Sequence, residues 1–171
     1  MKPDEAKGFS LETTFNDDLV SMEQALPILL EQCDVLAARM RRKKKKCTCI
    51  SVTFRTLDFQ NRSHQMKLKN ATDITDEIYF HARKLFEESW REQPLRPSGG
   101  IDLPVPTDDS FEQLSFFEDT REKERRQKLD AALDSIRLKY GNDKVTRASI
   151  MNSTARIGRK AKAQMENERE Q

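Results

Sequence analysis

No stretch of this chain approaches the roughly 20 consecutive apolar residues of a membrane-spanning helix, and its N-terminus lacks the apolar core of a secretory signal. A cytoplasmic protein with no membrane partner is therefore expected. Cysteine is scarce, at Cys33, Cys47 and Cys49. An odd number of thiols suits a reducing compartment. Cys47-Thr-Cys49 has no metal-ligand spacing and only His64 and His81 to help, so the thiols read as packing residues. Glycine is scarce as well, five in 171 residues, and none builds a phosphate-cradling loop. No pair of acids has the frame of a catalytic site, and no apolar strand delivers a carboxylate beside a nucleotide pocket.

Charge of one sign is missing locally. Residues 101–119 hold six acids and no base, whereas 120–171 hold fourteen bases against eight acids, so a net charge of +2 conceals segregation. Seven of the eight residues in RMRRKKKK, 39–46, are basic. Such blocks favour polyanionic partners, although a solvated helix end explains this one equally well. Hydrophobic residues make up 36% and charged residues 35%, which implies that part of the chain contributes no core.

What is present alternates. FSLETTF, 9–15, sets Phe9, Leu11, Thr13 and Phe15 against Ser10, Glu12 and Thr14, the period of a half-buried strand. A capping-box pattern, Ser21 to Gln24, opens a helix to about Arg42 with Leu26, Leu29, Leu30, Cys33, Leu36 and Met40 as its stripe. Pro27 predicts a bend or a later start. CTCISVTFRTL, 47–57, sets Thr48, Ile50, Val52 and Phe54 against Cys49, Ser51, Thr53 and Arg55. A turn at 58–62 leads to SHQMKLKN, 63–70, with His64, Met66 and Leu68 inward. Thr72-Asp73 caps a second helix to about Trp90, on Ile74, Ile78, Ala82, Leu85 and Phe86. GGIDLPV, 99–105, is a short last strand that Pro104 confines to a sheet edge. The fold class is α+β: β-α-β-β-α-β, a four-stranded antiparallel sheet with two helices on one face, extended by a C-terminal helix. The expected order 4-1-3-2 leaves the fourth strand at the edge.

The uncovered face would carry Ser10, Glu12 and Thr14, then Ser51, Thr53 and Arg55, then Ser63, Gln65, Lys67 and Lys69, with Arg62 able to join from the turn. Hydroxyls, an amide and cations bond phosphate oxygens without reading bases. An RNA recognition motif shares the topology but stacks bases on central aromatics. This face offers none, so backbone tracking of a duplex fits better.

KGFSLETTF with its helix, ISVTFRTLDFQNRSHQMKL, DITDEIYFHARKLFEESW and EQLSFFE together resemble the little finger domain of Y-family, lesion-bypass DNA polymerases. The likeness points to the bacterial DinB/UmuC-like group, including the UV-damage-repair proteins of Gram-positive bacteria. KLDAALDSIRLKYGNDKVTRAS, 128–149, is similar to the tail of that subgroup. The resemblance implies a sheet lying in the major groove and gripping template and primer backbones through Thr53, Arg55, Arg62, Lys67 and Lys69, with Ser10 and Thr14 beside them. Glu12 departs from that pattern. Polymerase chemistry in the family uses Mg²⁺ on a palm domain. No palm is recognisable here, so the chain reads as a non-catalytic C-terminal piece of a polymerase, with no cofactor of its own and with the parent's palm, fingers and thumb as partners.

Gln113-Leu114-Ser115-Phe116-Phe117 resembles the sliding-clamp-binding pentapeptide QL(S/D)LF, with Phe116 in place of Leu. The resemblance implies a bacterial sliding clamp as a second partner besides double-stranded template-primer DNA. Leu114 and the aromatic end would fill an apolar pocket while the Gln113 amide bonds a polar subsite. The expected organisation is a little finger over 1–106, an acidic linker with the motif over 107–119, a helical tail over 120–149 and a stretch without fixed structure over 150–171. The tail helix offers Leu129, Ala132, Leu133, Ile136 and Tyr140 as a stripe. An alternative function is therefore a free-standing regulatory protein that associates through this helix.

Overall fold

The computed structural model describes residues 8–14, 20–90, 101–102, 105–106, 120–151 and 156–157. The chain is α+β: β1 (Gly8–Phe9), β2 (Glu12–Thr14), α1 (Met22–Arg42), β3 (Cys47–Arg55), β4 (Asn61–Thr72), α2 (Thr75–Ser89), β5 (Ile101–Asp102), β6 (Val105–Pro106), α3 (Thr120–Tyr140) and β7 (Arg156–Ile157).

The sheet runs β4-β3-β5-β2-β7, with β1 and β6 paired separately. Gly8 faces Pro106 and Phe9 faces Val105, while Glu12 faces Asp102 and Thr13 faces Ile101, so one antiparallel register continues across the gap. The expected first and last strands are therefore each split in two. At the gap α1 reaches the strand backbone: Gln32 donates to the Leu11 oxygen at 3.1 Å and Arg39 to the Ser10 oxygen at 3.5 Å.

The expected strand order is corrected. Ile101 and Asp102 pair with β2 on one side and with Phe54 and Thr53 of β3 on the other, so the last strand sits inside the sheet. The doubly paired residues precede Pro104, which lies outside the described residues. The ladder thus takes both its neighbours before the position that lacks a donor. In the stretch 150–171, read as lacking fixed structure, Arg156–Ile157 instead pairs with Thr14 and Thr13.

The core lies between β3 and the helices. Ile50, Val52 and Phe54 pack against Ala25, Ile28, Leu29, Cys33, Leu36 and Met40 of α1 and Ile78, Ala82, Leu85 and Phe86 of α2. Phe54 meets Phe86 edge-on at 5.5 Å, a favourable aromatic geometry. The pairing shifts between Cys47, opposite Thr72, and Cys49, opposite Lys67. That irregularity brings Cys47 into the core in place of the expected Thr48, which is half-buried. His64, also expected inward, is exposed, because β4 is the edge strand.

Ser21 and Gln24 form the expected capping box, and α1 starts at Met22 with Pro27 inside it rather than after it. The second cap works differently. Thr72 Oγ1 accepts from the Ile74 amide, 3.1 Å, while the Thr75 amide, the first of α2, donates to Asp130 Oδ2 of α3 at 2.9 Å.

That bond belongs to a network that docks α3. Arg41 donates to Asp134 at 2.6 and 3.0 Å, to Asp130 at 3.2 Å and to the Asp73 carbonyl at 2.7 Å. Arg137 reaches Asp34 at 2.6 Å, and Arg147 reaches Asp76 at 2.7 Å and Asp130 at 2.9 Å. Asp130 and Arg137 are the buried residues of α3, whereas Leu129, Ile136 and Tyr140 are exposed. The expected apolar stripe is therefore not the docking face. The partners on α1 and α2 are charges and a helix N-terminus, and a carboxylate suits them.

Removing one member of a buried ion cluster leaves the others uncompensated, at roughly 3–5 kcal/mol. Asp130→Ala is expected to lower unfolding stability by about that much in a urea titration. A loss below roughly 1 kcal/mol, the size of an exposed pair, would mean that the network does not hold α3.

Candidate nucleic-acid interface

In an antiparallel ladder, residues directly opposite share a face. Arg55 pairs with Asn61, Thr53 with Ser63, Ser51 with Gln65 and Cys49 with Lys67. These are the positions turned away from Ile50, Val52 and Phe54, so hairpin register alone gathers Thr53, Arg55, Ser63, Gln65 and Lys67 on the face opposite the helices.

Thr53 Oγ1 donates to Ser63 Oγ at 3.0 Å, and the Ser51 and Ser63 hydroxyls lie 3.4 Å apart. Ser51 is buried, so it fastens the row more than it offers a free hydroxyl. Ser63, Gln65, Lys67 and Lys69 are exposed, and Thr53 and Arg55 are half-buried. Lys69 falls where the pairing with β3 shifts.

Arg55 is the most informative group. Its guanidinium stands over the Phe59 ring at 5.5 Å, a cation–π contact that orients it. Its Nε is shielded from solvent yet has no hydrogen-bond acceptor among the described residues. Phe59 has φ 62°, and the turn is closed by the Phe59 amide donating to the Thr56 carbonyl at 3.1 Å and by Thr56 bonding Asp58 and the Gln60 carbonyl. The hairpin tip thus holds an oriented cation.

Other expected positions fall elsewhere. Arg62 pairs with Phe54, which puts it on the helix-side face, half-buried. It does not join the others; Asn61, unnoticed in the sequence, takes that position. The signal was available, since a turn that ends at Gln60, two residues before the expected end at 62, makes Asn61 the partner of Arg55. Ser10 is exposed at the gap of the first strand. Thr14 lies in β2 opposite Arg156. Two acids interrupt the row: Asp102 is in register with Thr53, and Glu12 with Asp102. The cationic and hydroxyl positions accordingly concentrate on β3 and β4. Gln113, Leu114, Ser115, Phe116 and Phe117 lie outside the described residues.

The thiols divide by burial: Cys33 lies in α1, and the register shift in β3 separates Cys47 from Cys49. Burial pushes the Cys47 thiol up to about 12 and the Cys33 thiol well above its ordinary value, whereas Cys49 is half-buried on the open face. Among the described residues no group of three or more His, Cys, Asp or Glu is placed to hold a metal ion. None of their helices is long and apolar enough to cross a membrane.

Comparison with known proteins gives a concordant picture. Residues 6–103 match the impB/mucB/samB family C-terminal domain. DNA polymerase IV of Clostridium acetobutylicum is 43% identical over 148 residues, 86% of this chain and 37% of that protein. DNA polymerase IV of Alkaliphilus oremlandii is 35% identical over 161 residues, 88% of this chain and 40% of that protein. The chain therefore spans about two fifths of the length of these curated relatives. A solved post-insertion binary complex of Dbh DNA polymerase aligns with 61% of this chain and 30% of its own, at a TM-score of 0.50 and 19% identity, a likeness of fold.

Only the thiolate attacks an alkylating agent. Iodoacetamide at pH 8 is expected to label Cys49 in the native protein and to reach Cys33 and Cys47 only in denaturant, as read by peptide mass. Native labelling of Cys47 would contradict its burial in the core at the start of β3.

Proposed function

Since the chain belongs to the impB/mucB/samB family, with the C-terminal little finger domain of a bacterial Y-family DNA polymerase matched over residues 6–103, we propose that its open sheet face grips the backbone of template-primer DNA. The observation that carries the reading is the β3–β4 ladder, which lines up Arg55, Thr53, Ser63, Gln65 and Lys67. Phosphate contacts position a duplex without reading it, and these side chains are donors of that kind. Arg55, with its guanidinium oriented by Phe59 at the hairpin tip, is the strongest candidate for a direct phosphate contact. Asp102, in register with Thr53, and Glu12, in register with Asp102, favour a path along β3 and β4 rather than across the whole sheet.

The second contact we infer is with a bacterial sliding clamp through Gln113–Phe117. Its support is the sequence: a Gln-Leu start, an aromatic end and acidic flanks that keep the segment solvated until it binds. An anchor of five residues buries little area, so a modest affinity is expected. The alternative, a free-standing regulatory protein that associates through its tail helix, is disfavoured by the family match over residues 6–103, although Leu129, Ile136 and Tyr140 of α3 are exposed.

The whole protein is then a DNA-directed DNA polymerase of lesion bypass, acting in the cytoplasm. Its Mg²⁺ chemistry would reside on a palm domain. The described residues do not fit a metal, and no catalytic step is derived for them.

Two measurements test these contacts. Arg55→Glu with Lys67→Glu is expected to weaken duplex binding and to lower the slope of log K against log salt by about two, since each phosphate contact contributes roughly 0.9. An unchanged slope would sink the sheet assignment. In a titration against a bacterial sliding clamp, Gln113→Ala with Phe117→Ala is expected to cost about tenfold or more, the scale of losing an anchoring side chain. Equal binding by both forms would remove the pentapeptide from the interface.

A further inference from the structure

The basic run 39–46 is not a uniform patch, and its members separate by what they touch. Arg39 donates to the Ser10 carbonyl and stands over the Phe9 ring at 5.6 Å, so it fastens α1 to the first strand. Arg41 is committed to Asp130, Asp134 and the Asp73 carbonyl. Arg42 lines a small cavity together with Asp134. Past the helix end, Lys43 and Lys44 are exposed and Lys45 and Lys46 half-buried.

The turn that carries them is defined. The Lys44 amide donates to the Arg41 carbonyl at 3.0 Å and the Lys45 amide to the Met40 carbonyl at 2.9 Å, the paired bonds that close a helix on a left-handed residue. That residue is Lys44, at φ 53°. Glycine takes this conformation freely, while a residue with a Cβ pays about 1 kcal/mol or more. A lysine that only met solvent gives no reason for carrying that strain. The end of the helix macrodipole accounts for a cation near here but not for one at the strained position.

The turn leads straight into β3 at Cys47, and two residues on Cys49 faces Lys67. The turn therefore lies at the same end of the β3–β4 hairpin as Lys67 and Lys69.

We propose that Lys43 and Lys44 form a second phosphate-backbone contact for duplex DNA, at the end of the sheet where Lys67 and Lys69 lie. The proposal rests on the DNA-gripping reading of the open face and extends it to a surface outside that face. Its occupant is the continuous backbone of the same duplex, matched by charge and by continuity with the β4 lysines.

The test compares two neutralised variants of the full chain on one duplex over a range of salt. Lys43→Gln with Lys44→Asn keeps a residue that tolerates the left-handed turn; Lys67→Gln with Lys69→Gln empties the sheet end. The turn variant is expected to melt at the wild-type temperature and to lower the salt slope by about two. A wild-type slope in the turn variant, with a reduced slope in the sheet variant, overturns the turn contact and leaves the sheet reading in place. A reduced slope in the turn variant alone sinks the sheet reading and with it the continuous path from the β4 lysines to the turn. No change in either variant overturns both.

Discussion

Everything that positions the proposed interface depends on the period-two alternation of β3. Ile50, Val52 and Phe54 are fixed against two helices, and each such side chain is worth about 2 kcal/mol of burial. Because successive residues face opposite ways, that burial also fixes where Ser51, Thr53 and Arg55 point. A slip of one residue would expose the whole apolar set. The core thus specifies the register of the outer row more strongly than any contact within that row, and β4 inherits its alignment through the ladder.

This explains which parts were legible in the sequence. The alternation of β3 and the stripes of α1 and α2 were readable because burial enforces them over many residues. The open-face residues Thr53, Arg55, Ser63, Gln65 and Lys67 followed from the same period. Arg62 did not, because the turn ends at Gln60 rather than at 62, which puts Arg62 inside β4 on the helix-side face, and turn length is weakly encoded. The order of the outer strands was also hidden: whether the segment of Ile101 and Asp102 pairs at an edge or between β3 and β2 is a long-range choice that its composition does not express.

The tail was misread for a different reason. A helix is expected to dock through its apolar stripe, and Leu129, Ala132, Leu133, Ile136 and Tyr140 make a plausible one. The surface that receives α3 offers instead the Arg41 guanidinium, an uncapped helix N-terminus at Thr75, and Asp34, which calls for Arg137. Nothing in the local sequence of α2 announces that its first amide finds a carboxylate 55 residues later.

Docking by charge rather than by apolar area has consequences for specificity. Burial pushes the Asp130 carboxyl up from its ordinary value, against the Thr75 amide and the charges of Arg41 and Arg147. A buried ion cluster is a poor source of net stability, since desolvation offsets most of its Coulomb gain. It is, however, unforgiving of misplacement, because a displaced helix leaves several charges without partners at once. The same arginine ties this cluster to the end of α1, from which the Lys43–Lys44 turn springs. The tail therefore holds in place the helix end that presents the outermost cations, and its geometry reaches the proposed DNA path without touching the sheet.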